Sequence, residues 1–418
     1  MKRDVEGNNI IKSNIVALIM TVFSNLLGVI FQLLSGRLIK DHMVFSDLNA
    51  VLSLNTILTF PLGIVSYMVA KVIAELQFYK KEDMIADVFN KFFKLSVMAA
   101  LVVSSVVFVF SDVIADFFNV GQSIYIMLTA ALAGITICEA SFLGIFQGLK
   151  NFFWYNLVTI LMQMLKVFAI CVSGVNDNQL VIILLVLCIG IFGVIIVAWM
   201  KVHKIFRRYN SVRCDIDLME TCKFGVVMFW TNTINIIQNN MDMLLVKHYL
   251  NELSSQYSMA LIWVKTITYF SGAIAAVLFP FTISMKTSRK KLNRMLFSSL
   301  LINIVLEVGM LVVLLMGGRQ GILYLYGNSY LKAYEYIFPL GIMLLPSGLN
   351  IVMANMALGL CCYKELYCIL GISILCEILF TFCLHASIEQ IIYVIAVVFW
   401  GTFILLLASL MKRINELE

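Results

Sequence analysis

The sequence predicts an all-α polytopic membrane protein with about twelve transmembrane helices, and three observations support this class. Hydrophobic residues make up 61% of the 418 residues and charged residues only 13%, whereas a soluble chain carries about 25% charged residues. Long charge-free runs, such as 48–70 and 178–200, recur through most of the chain. Lysine and arginine are concentrated in every second segment between these runs.

The apolar runs have the length of membrane-spanning helices. A helix needs about 20 apolar residues to cross the hydrocarbon core, which is roughly 30 Å thick. Only helices and closed barrels satisfy all their backbone polar groups there, and runs this long favour helices over barrel strands. The predicted spans are 15–36, 48–70, 95–111, 119–138, 153–174, 179–200, 224–241, 258–284, 295–317, 336–360, 366–384 and 390–411.

The distribution of positive charge predicts the orientation. If the N-terminus is cytoplasmic, 23 of the 30 lysines and arginines fall on the cytoplasmic side, 5 fall on the opposite side, and Lys166 and Lys265 lie within spans. The positive-inside rule therefore predicts that both termini are in the cytoplasm of a protein that crosses the cell membrane many times. The net charge of +6 then reflects topology and contact with anionic membrane lipids, and we expect no binding to nucleic acid.

The chain is expected to consist of two similar halves. The longest basic loop, 201–223, separates an N-terminal lobe, 1–200, from a C-terminal lobe, 224–418. At an offset of 207 residues, the polar positions of span 1 align with those of span 7. An even number of helices per half predicts two six-helix lobes related by a parallel pseudo-two-fold axis.

Spans 1 and 7 each carry polar side chains on one helical face, at successive steps of 3, 4 and 3 residues. An unpaired amide is costly to bury in hydrocarbon. The stripe therefore faces either a polar cavity, where it binds substrate, or a neighbouring helix, and both interpretations remain open. The candidate substrate-binding amides are Asn25, Gln32, Asn232, Asn235 and Asn239.

Three cations are further candidates for substrate binding. Lys166 and Lys265 lie within spans, where a charged side chain costs about 2.5–3.5 kcal/mol on insertion scales. Arg37 ends span 1 and has an alternative role, since it can extend to the interface. Lysines that face an aqueous cavity would attract an anionic substrate such as a phosphate or pyrophosphate.

Carboxylates within or at the ends of the predicted spans are candidates for ion coupling. Asp242 ends predicted span 7, Glu307 and Glu377 interrupt spans 9 and 11, and Glu139 closes span 4 near the cytoplasm. The first three are candidates to bind a coupling ion, either a proton or Na⁺. The alternatives are that Asp242 extends to the outer interface and that Glu307 and Glu377 pair with other side chains to hold helices in register.

Patterns typical of enzymes are absent from the sequence. It has no G-x-x-x-x-G-K-[ST] loop for a nucleotide, and its four histidines lack the spacing of metal ligands. We therefore expect no enzymatic activity, no metal and no cofactor.

Three segments resemble polysaccharide and lipid-linked oligosaccharide flippases of the multidrug/oligosaccharidyl-lipid/polysaccharide exporter (MOP) superfamily. They are SGRLIKDHMVFSDLNAVLSL (35–54), FLGIFQGLKNFFWYNLVTILMQMLKV (142–167) and NNMDMLLVKHYLNELSSQYSMALIWVKTITYFSGAIAAVLFP (239–280). The sequence departs from the family where LIKDHMVFSD replaces a glycine-containing pattern after Arg37. It also lacks the extra helix pair that forms a lipid groove in lipid II flippases, which argues against that particular activity.

The resemblance implies two lobes in a V around a central cationic cavity. It also implies that undecaprenyl-pyrophosphate-linked oligosaccharide is flipped from the cytoplasmic to the outer leaflet by alternating access, for surface polysaccharide export. Arg37, Lys166, Asp242 and Lys265 lie in the matching segments. The implied partners are this substrate, membrane lipids, a proton or Na⁺, and a polysaccharide polymerase. Two alternatives remain, a cation-coupled multidrug exporter of the same superfamily and a non-transporting scaffold of a polysaccharide assembly complex.

Overall fold

The computed structural model describes residues 20, 23–79, 81–174, 178–207, 236, 239–268, 271, 274, 289–360 and 362–416. Every regular element in these ranges is helical, which confirms the predicted all-α class. The chain divides into two compact units, Met1–Phe229 and Trp230–Glu418.

Seven helices of the first unit are described. They are α1 (Phe23–Leu38), α2 (His42–Phe78), α3 (Ile85–Val109), α4 (Ser111–Phe117), α5 (Ser123–Gly148), α6 (Phe152–Ser173) and α7 (Gln179–Phe206).

Six helices of the second unit are described, together with short 3₁₀ segments. The helices are α8 (239–249), α9 (Ser254–Lys265), α10 (Arg289–Tyr326), α11 (Ile337–Gly359), α12 (Tyr363–Cys383) and α13 (Ile388–Asn415). The 3₁₀ segments Asn251–Leu253, Thr266–Thr268 and Asn328–Tyr336 lie between them.

Within the described ranges, nine helices are long and apolar enough to cross a membrane, and α1 is a shorter apolar helix. Their outward faces carry exposed apolar side chains, such as Val109 on α3 and Met316 on α10, which are 73% and 81% exposed. Such faces suit a lipid environment because lipid tails solvate them. The membrane-protein prediction is thereby confirmed, while much of predicted spans 7 and 8 lies outside the described residues.

Several helices extend beyond the spans predicted for them. Helix α2 has 37 residues and α10 has 38, so at about 1.5 Å per residue each is longer than the ~30 Å hydrocarbon core. The hydropathy of the sequence identified only the apolar central part of each helix and not its polar ends. The start of α2 is set by Asp41, which accepts a hydrogen bond from the Met43 N–H at 2.8 Å. The chain leaves α10 at Gly327, whose φ of 76° suits glycine.

The predicted end of span 4 at Glu139 is wrong. Helix α5 continues to Gly148, and Glu139 lies inside it with an exposed fraction of only 3%. The residues that follow Glu139 are mostly small or apolar, and most of them are buried. Continuing the helix therefore buries more apolar surface, and a single carboxylate does not end it.

The predicted end of span 7 at Asp242 is also wrong, because α8 continues to residue 249. Met243, Leu244 and Val246 are buried in this extension, so burial of apolar side chains again favours the longer helix. Lys247, which the charge count assigned to an outer loop, lies in this helix and is only 1% exposed.

Helix α5 forms the centre of the first unit and packs against α2, α3 and α7. Two glycines in a G-x-x-x-G arrangement, Gly144 and Gly148, let the backbones of α5 and α2 approach closely. Hydrogen bonds join α5 to α3, where the Ser96 and Ser141 hydroxyls lie 2.7 Å apart and Ser104 donates to the Ala130 carbonyl at 2.7 Å.

Helix α11 has the corresponding role in the second unit and packs against α9, α10 and α13. The Asn350 amide donates to the Phe399 carbonyl of α13 at 3.2 Å, and Thr402 of α13 donates to Ser373 of α12 at 2.7 Å. Buried polar groups thus fix the positions of α11, α12 and α13 around an apolar core that includes Met353.

A Gly144→Ala substitution should destabilise the first unit. A Cβ at this position would lie 2.6 Å from the Ser66 carbonyl oxygen and 2.9 Å from Ser66 Cα, so α2 would have to move. We expect a loss of about 1–3 kcal/mol, typical of overpacking, measured by thermal unfolding in detergent. The matched control is Gly193→Ala on α7, where a Cβ meets nothing within 4 Å. Equal effects of the two substitutions would contradict this account of the α2–α5 contact.

Candidate functional site

Two buried carboxylates from different helices of the second unit interact electrostatically. Asp242 of α8 is 2% exposed and Glu377 of α12 is 1% exposed. The Tyr257 hydroxyl of α9, itself fully buried, donates to Asp242 Oδ2 at 2.9 Å. Neither carboxylate oxygen of Glu377 has a hydrogen-bond partner within the described residues. We refer to Asp242, Tyr257 and Glu377 as the carboxylate cluster.

Lys265 lies at the end of α9 beside this cluster. Its Nζ donates to the Asn239 backbone carbonyl at 3.1 Å, and its charge interacts with Asp242 at longer range. The Asn239 side chain accepts a hydrogen bond from Ser347 of α11 at 2.6 Å. The structure therefore brings four predicted site residues together, namely Asn239, Asp242, Lys265 and Glu377.

Glu307 is buried on α10 in a different set of contacts. Ser271 donates to Glu307 Oε1 at 2.6 Å, and Glu307 Oε2 has no partner within the described residues. The absence of a side chain at Gly348 of α11 makes room for this contact, because a Cβ there would lie 2.9 Å from Glu307 Cδ. The hydrogen bond favours the interpretation in which Glu307 holds helices in register.

Lys166 lies on α6 in the first unit and is half-buried. It interacts electrostatically with the buried Glu139 of α5, although no ion pair within 4 Å joins them. Gln163, one turn earlier on α6, has a buried Oε1 without a hydrogen-bond partner in the described part of the chain. A Cβ at Gly28 would lie 3.7 Å from this oxygen, so α1 approaches α6 here.

The remaining predicted residues lie apart from these groups. Arg37 and Asn25 are exposed on α1, and Gln32 is half-buried with its backbone carbonyl bonded to Ser35 at 2.8 Å. Asn232 and Asn235 lie outside the described residues.

The carboxylate cluster has the chemistry of a site for one positive charge. Two neighbouring buried carboxylates repel each other when both are ionised, and a proton or a cation that joins them removes the repulsion. Lys265 partly balances Asp242, whereas among the described residues Glu377 interacts electrostatically with Asp242 and Tyr257 and with no cation. Within the described ranges, no group of three or more His, Cys, Asp or Glu is placed to hold a metal ion.

Sequence reasoning missed several side chains of these groups, namely Tyr257, Ser347 and Gln163. Tyr257 precedes Lys265 by eight residues and so shares its helical face, a signal that was available in the sequence. Gln163 likewise lies one turn before Lys166. No local pattern points to Ser347, because its contact with Asn239 joins residues 108 positions apart.

The fold and the sequence are similar to known proteins. A lipid II flippase, MurJ, in an inward closed conformation has a TM-score of 0.75 at 15% identity, covering 96% of this chain and 90% of that one. An inward-facing multidrug resistance MATE family transporter of the MOP superfamily has a TM-score of 0.76 at 11% identity, covering 96% and 98%. The Vibrio cholerae MATE transporter VcmN has a TM-score of 0.63 at 11% identity, covering 96% and 97%.

These comparisons establish the fold, which the chain shares with a lipid II flippase and with MATE family transporters. The model of the family described as "Polysaccharide biosynthesis protein" matches residues 75–335, well over half of the sequence. The chain belongs to this polysaccharide biosynthesis protein family, which confirms the predicted resemblance. No curated protein sequence matches the chain.

Two substitutions in the carboxylate cluster should have different effects on stability. Tyr257→Phe removes the hydrogen bond to Asp242 and should lower the free energy of unfolding by about 1.5–3 kcal/mol, as for a hydrogen bond to a charged group. Glu377→Gln should not lower it, because Glu377 makes no hydrogen bond within the described residues and the amide carries no charge. Thermal unfolding in detergent measures both. If Glu377→Gln is as destabilising as Tyr257→Phe, Glu377 has a structural partner.

Proposed function

We propose that the protein flips undecaprenyl-pyrophosphate-linked oligosaccharide from the cytoplasmic to the outer leaflet of the cell membrane by alternating access, for surface polysaccharide export. The family match supports a role in polysaccharide biosynthesis. The observation that carries the proposal is that each unit holds a half-buried lysine, Lys166 or Lys265, with no carboxylate ion pair in the described part of the chain. Both termini are proposed to be cytoplasmic, and a polysaccharide polymerase is the proposed partner that uses the product.

An unpaired, half-buried ammonium group is suited to an anionic lipid head. Charge-assisted hydrogen bonds to phosphate are about twice as strong as neutral ones, and low dielectric strengthens the attraction. In the proposed mechanism Lys166 and Lys265 bind the pyrophosphate, and Glu139 and Asp242 limit the cost of holding each lysine between transport cycles.

The remaining candidates are assigned to the sugar and to the entry of the head group. Asn239 lies beside Lys265 and has an amide that can bond sugar hydroxyls, although Ser347 occupies one of its acceptor positions. Asn25, Gln32, Asn232 and Asn235 are also proposed to contact sugars. The exposed Arg37 is proposed to bind the head group at the end of α1.

The carboxylate cluster is proposed to couple transport to an ion gradient. One proton or one Na⁺ bound between Asp242 and Glu377 would remove the repulsion between the two carboxylates. It would also interact with the Glu377 oxygens, which have no hydrogen-bond partner within the described residues. Ion binding then favours one conformation of the second unit, and ion release favours another. Glu307 is the alternative coupling residue, and direct drive by the membrane potential is the alternative without a coupling ion.

Removing either lysine should slow transport. Lys166→Met and Lys265→Met should each reduce flipping by about tenfold or more, because losing one charge-assisted contact costs about 1.5–3 kcal/mol. The measurement is movement of labelled undecaprenyl-pyrophosphate-linked oligosaccharide across liposomes that contain the purified protein. The matched control is Lys290→Met, which removes an exposed cation at the start of α10.

Wild-type flipping rates in both lysine variants would contradict the cationic mechanism. The same liposomes test the alternatives. Efflux of a cationic dye without lipid movement identifies a multidrug exporter, whereas no movement of either compound by the folded protein supports a scaffold.

Neutralising either acid of the carboxylate cluster should abolish coupling to the ion gradient but should not abolish basal flipping. Asp242→Asn and Glu377→Gln should reduce the rate under an imposed proton or Na⁺ gradient to the rate without a gradient, because neither amide binds the ion by charge. The control is Glu365→Gln, an exposed glutamate at the start of α12. If both cluster variants keep full stimulation and Glu307→Gln loses it, the coupling site is at Glu307.

A further inference from the structure

A crevice separates the first turns of α3 from the last turns of α7. Its volume is about 330 Å³, which is within the range of small-ligand sites. Phe89 and Asn90 line one side, and Trp199, Val202, His203 and Phe206 line the other.

Aromatic rings build the walls and floor of this crevice. The Phe89 ring lies 5.5 Å from Phe206 and 6.4 Å from Trp199, measured between centroids. Phe142 of α5 lies 5.3 Å from Phe89 and 6.0 Å from Trp199, so it packs against both rings. The result is an apolar slot lined by packed rings, with Asn90, Trp199 and His203 exposed at its opening.

Positive side chains flank the opening of the slot. Lys94 is one turn beyond Asn90 on α3, and Arg207 lies one turn beyond His203 on α7. Both are exposed, and neither has a carboxylate ion pair among the described residues.

The nearby charges do not cancel these two cations. Asp87 already pairs with Lys91 at 2.9 Å, and Lys201 lies over the Trp154 ring at 4.8 Å. The remaining acids close along the chain, Glu82 and Asp83, lie in the short turn before α3. Positive charge therefore predominates around the opening.

The position of the crevice indicates a lipid as its ligand. Aromatic rings together with cations that extend toward water are typical of the membrane interface. The charge count predicts that these helix ends are cytoplasmic, where anionic lipids give the membrane surface a negative potential. The slot is short, so it suits the glycerol and the first carbons of an acyl chain better than a partner helix.

We propose that this crevice binds one anionic phospholipid of the cytoplasmic leaflet. The phosphate is held by Arg207 and the His203 ring, with Lys94 on the other side of the opening and Arg207 able to donate two parallel hydrogen bonds. The glycerol esters lie beside Asn90, and the acyl chain begins against the exposed Trp199 ring. This site is independent of the proposed transport function and of the carboxylate cluster.

Native mass spectrometry of the full chain in detergent tests the proposal, with phosphatidylglycerol and phosphatidylcholine of equal chain length as probes. We expect one phosphatidylglycerol to bind about tenfold more tightly than phosphatidylcholine. The Lys94→Ala/Arg207→Ala double variant should lose most of this preference. Asn90→Trp keeps every charge but fills the exposed opening, and it should lose phosphatidylglycerol binding as well.

The matched control is Lys290→Ala/Arg294→Ala, which removes two exposed cations at the start of α10 and should change the affinity by less than about twofold. An equal loss in this control would overturn the proposal in favour of diffuse electrostatic attraction. Unchanged binding in Asn90→Trp would overturn the crevice as the site. Tighter binding of a polyprenyl pyrophosphate, with displacement of the phospholipid, would overturn the phospholipid as its occupant.

Discussion

The burial of ionisable side chains within apolar helices is the constraint on which this structure depends. Each such group costs about 2.5–3.5 kcal/mol at the centre of a span unless water or a partner compensates it. Most of these groups have found a partner: Asp242 accepts from Tyr257, Glu307 accepts from Ser271, and Lys265 donates to the Asn239 carbonyl. Helix packing in the second unit is arranged around these contacts.

Two groups are compensated only in part, and they are the most informative. Glu377 has no hydrogen bond within the described residues, and Lys166 has Glu139 only at longer range. In a structural ion pair both groups have their partners. Buried ionisable groups that lack a partner are typical of sites that bind a ligand or an ion. Glu307 is intermediate between the two kinds of group, because Ser271 donates to its Oε1 while its Oε2 has no partner within the described residues.

The rest of each unit supplies rigid support for these charges. Helices α5 and α11 are largely enclosed by their neighbours, and serine, asparagine and threonine hydrogen bonds hold α3 to α5 and α13 to both α11 and α12. Small residues such as Gly144 let backbones approach where lipid gives no hydrophobic driving force between helices. Charged side chains on α5, α6, α8 and α9 are thereby held in defined positions.

The sequence was sufficient to predict the class, because hydropathy and charge asymmetry are properties of whole segments. It failed at helix ends: Glu139 and Asp242 lie within helices because apolar packing continues beyond them. The sequence identified Asp242, Lys265 and Glu377 as separate candidates, because a charged residue stands out in an apolar run. It did not predict which residues lie close together, because Asp242 and Glu377, like Asn239 and Ser347, are more than 100 residues apart and meet only through tertiary packing.

The central claim is that the two lysines are available to an anionic head group during transport. Cysteine placed at position 166 or 265 of a chain without its ten native cysteines measures this directly, through its rate of reaction with a small negatively charged thiol reagent in liposomes. The account predicts that both positions react and that undecaprenyl-pyrophosphate-linked oligosaccharide protects them. Failure of both cysteines to react, in protein that still flips its substrate, would contradict it.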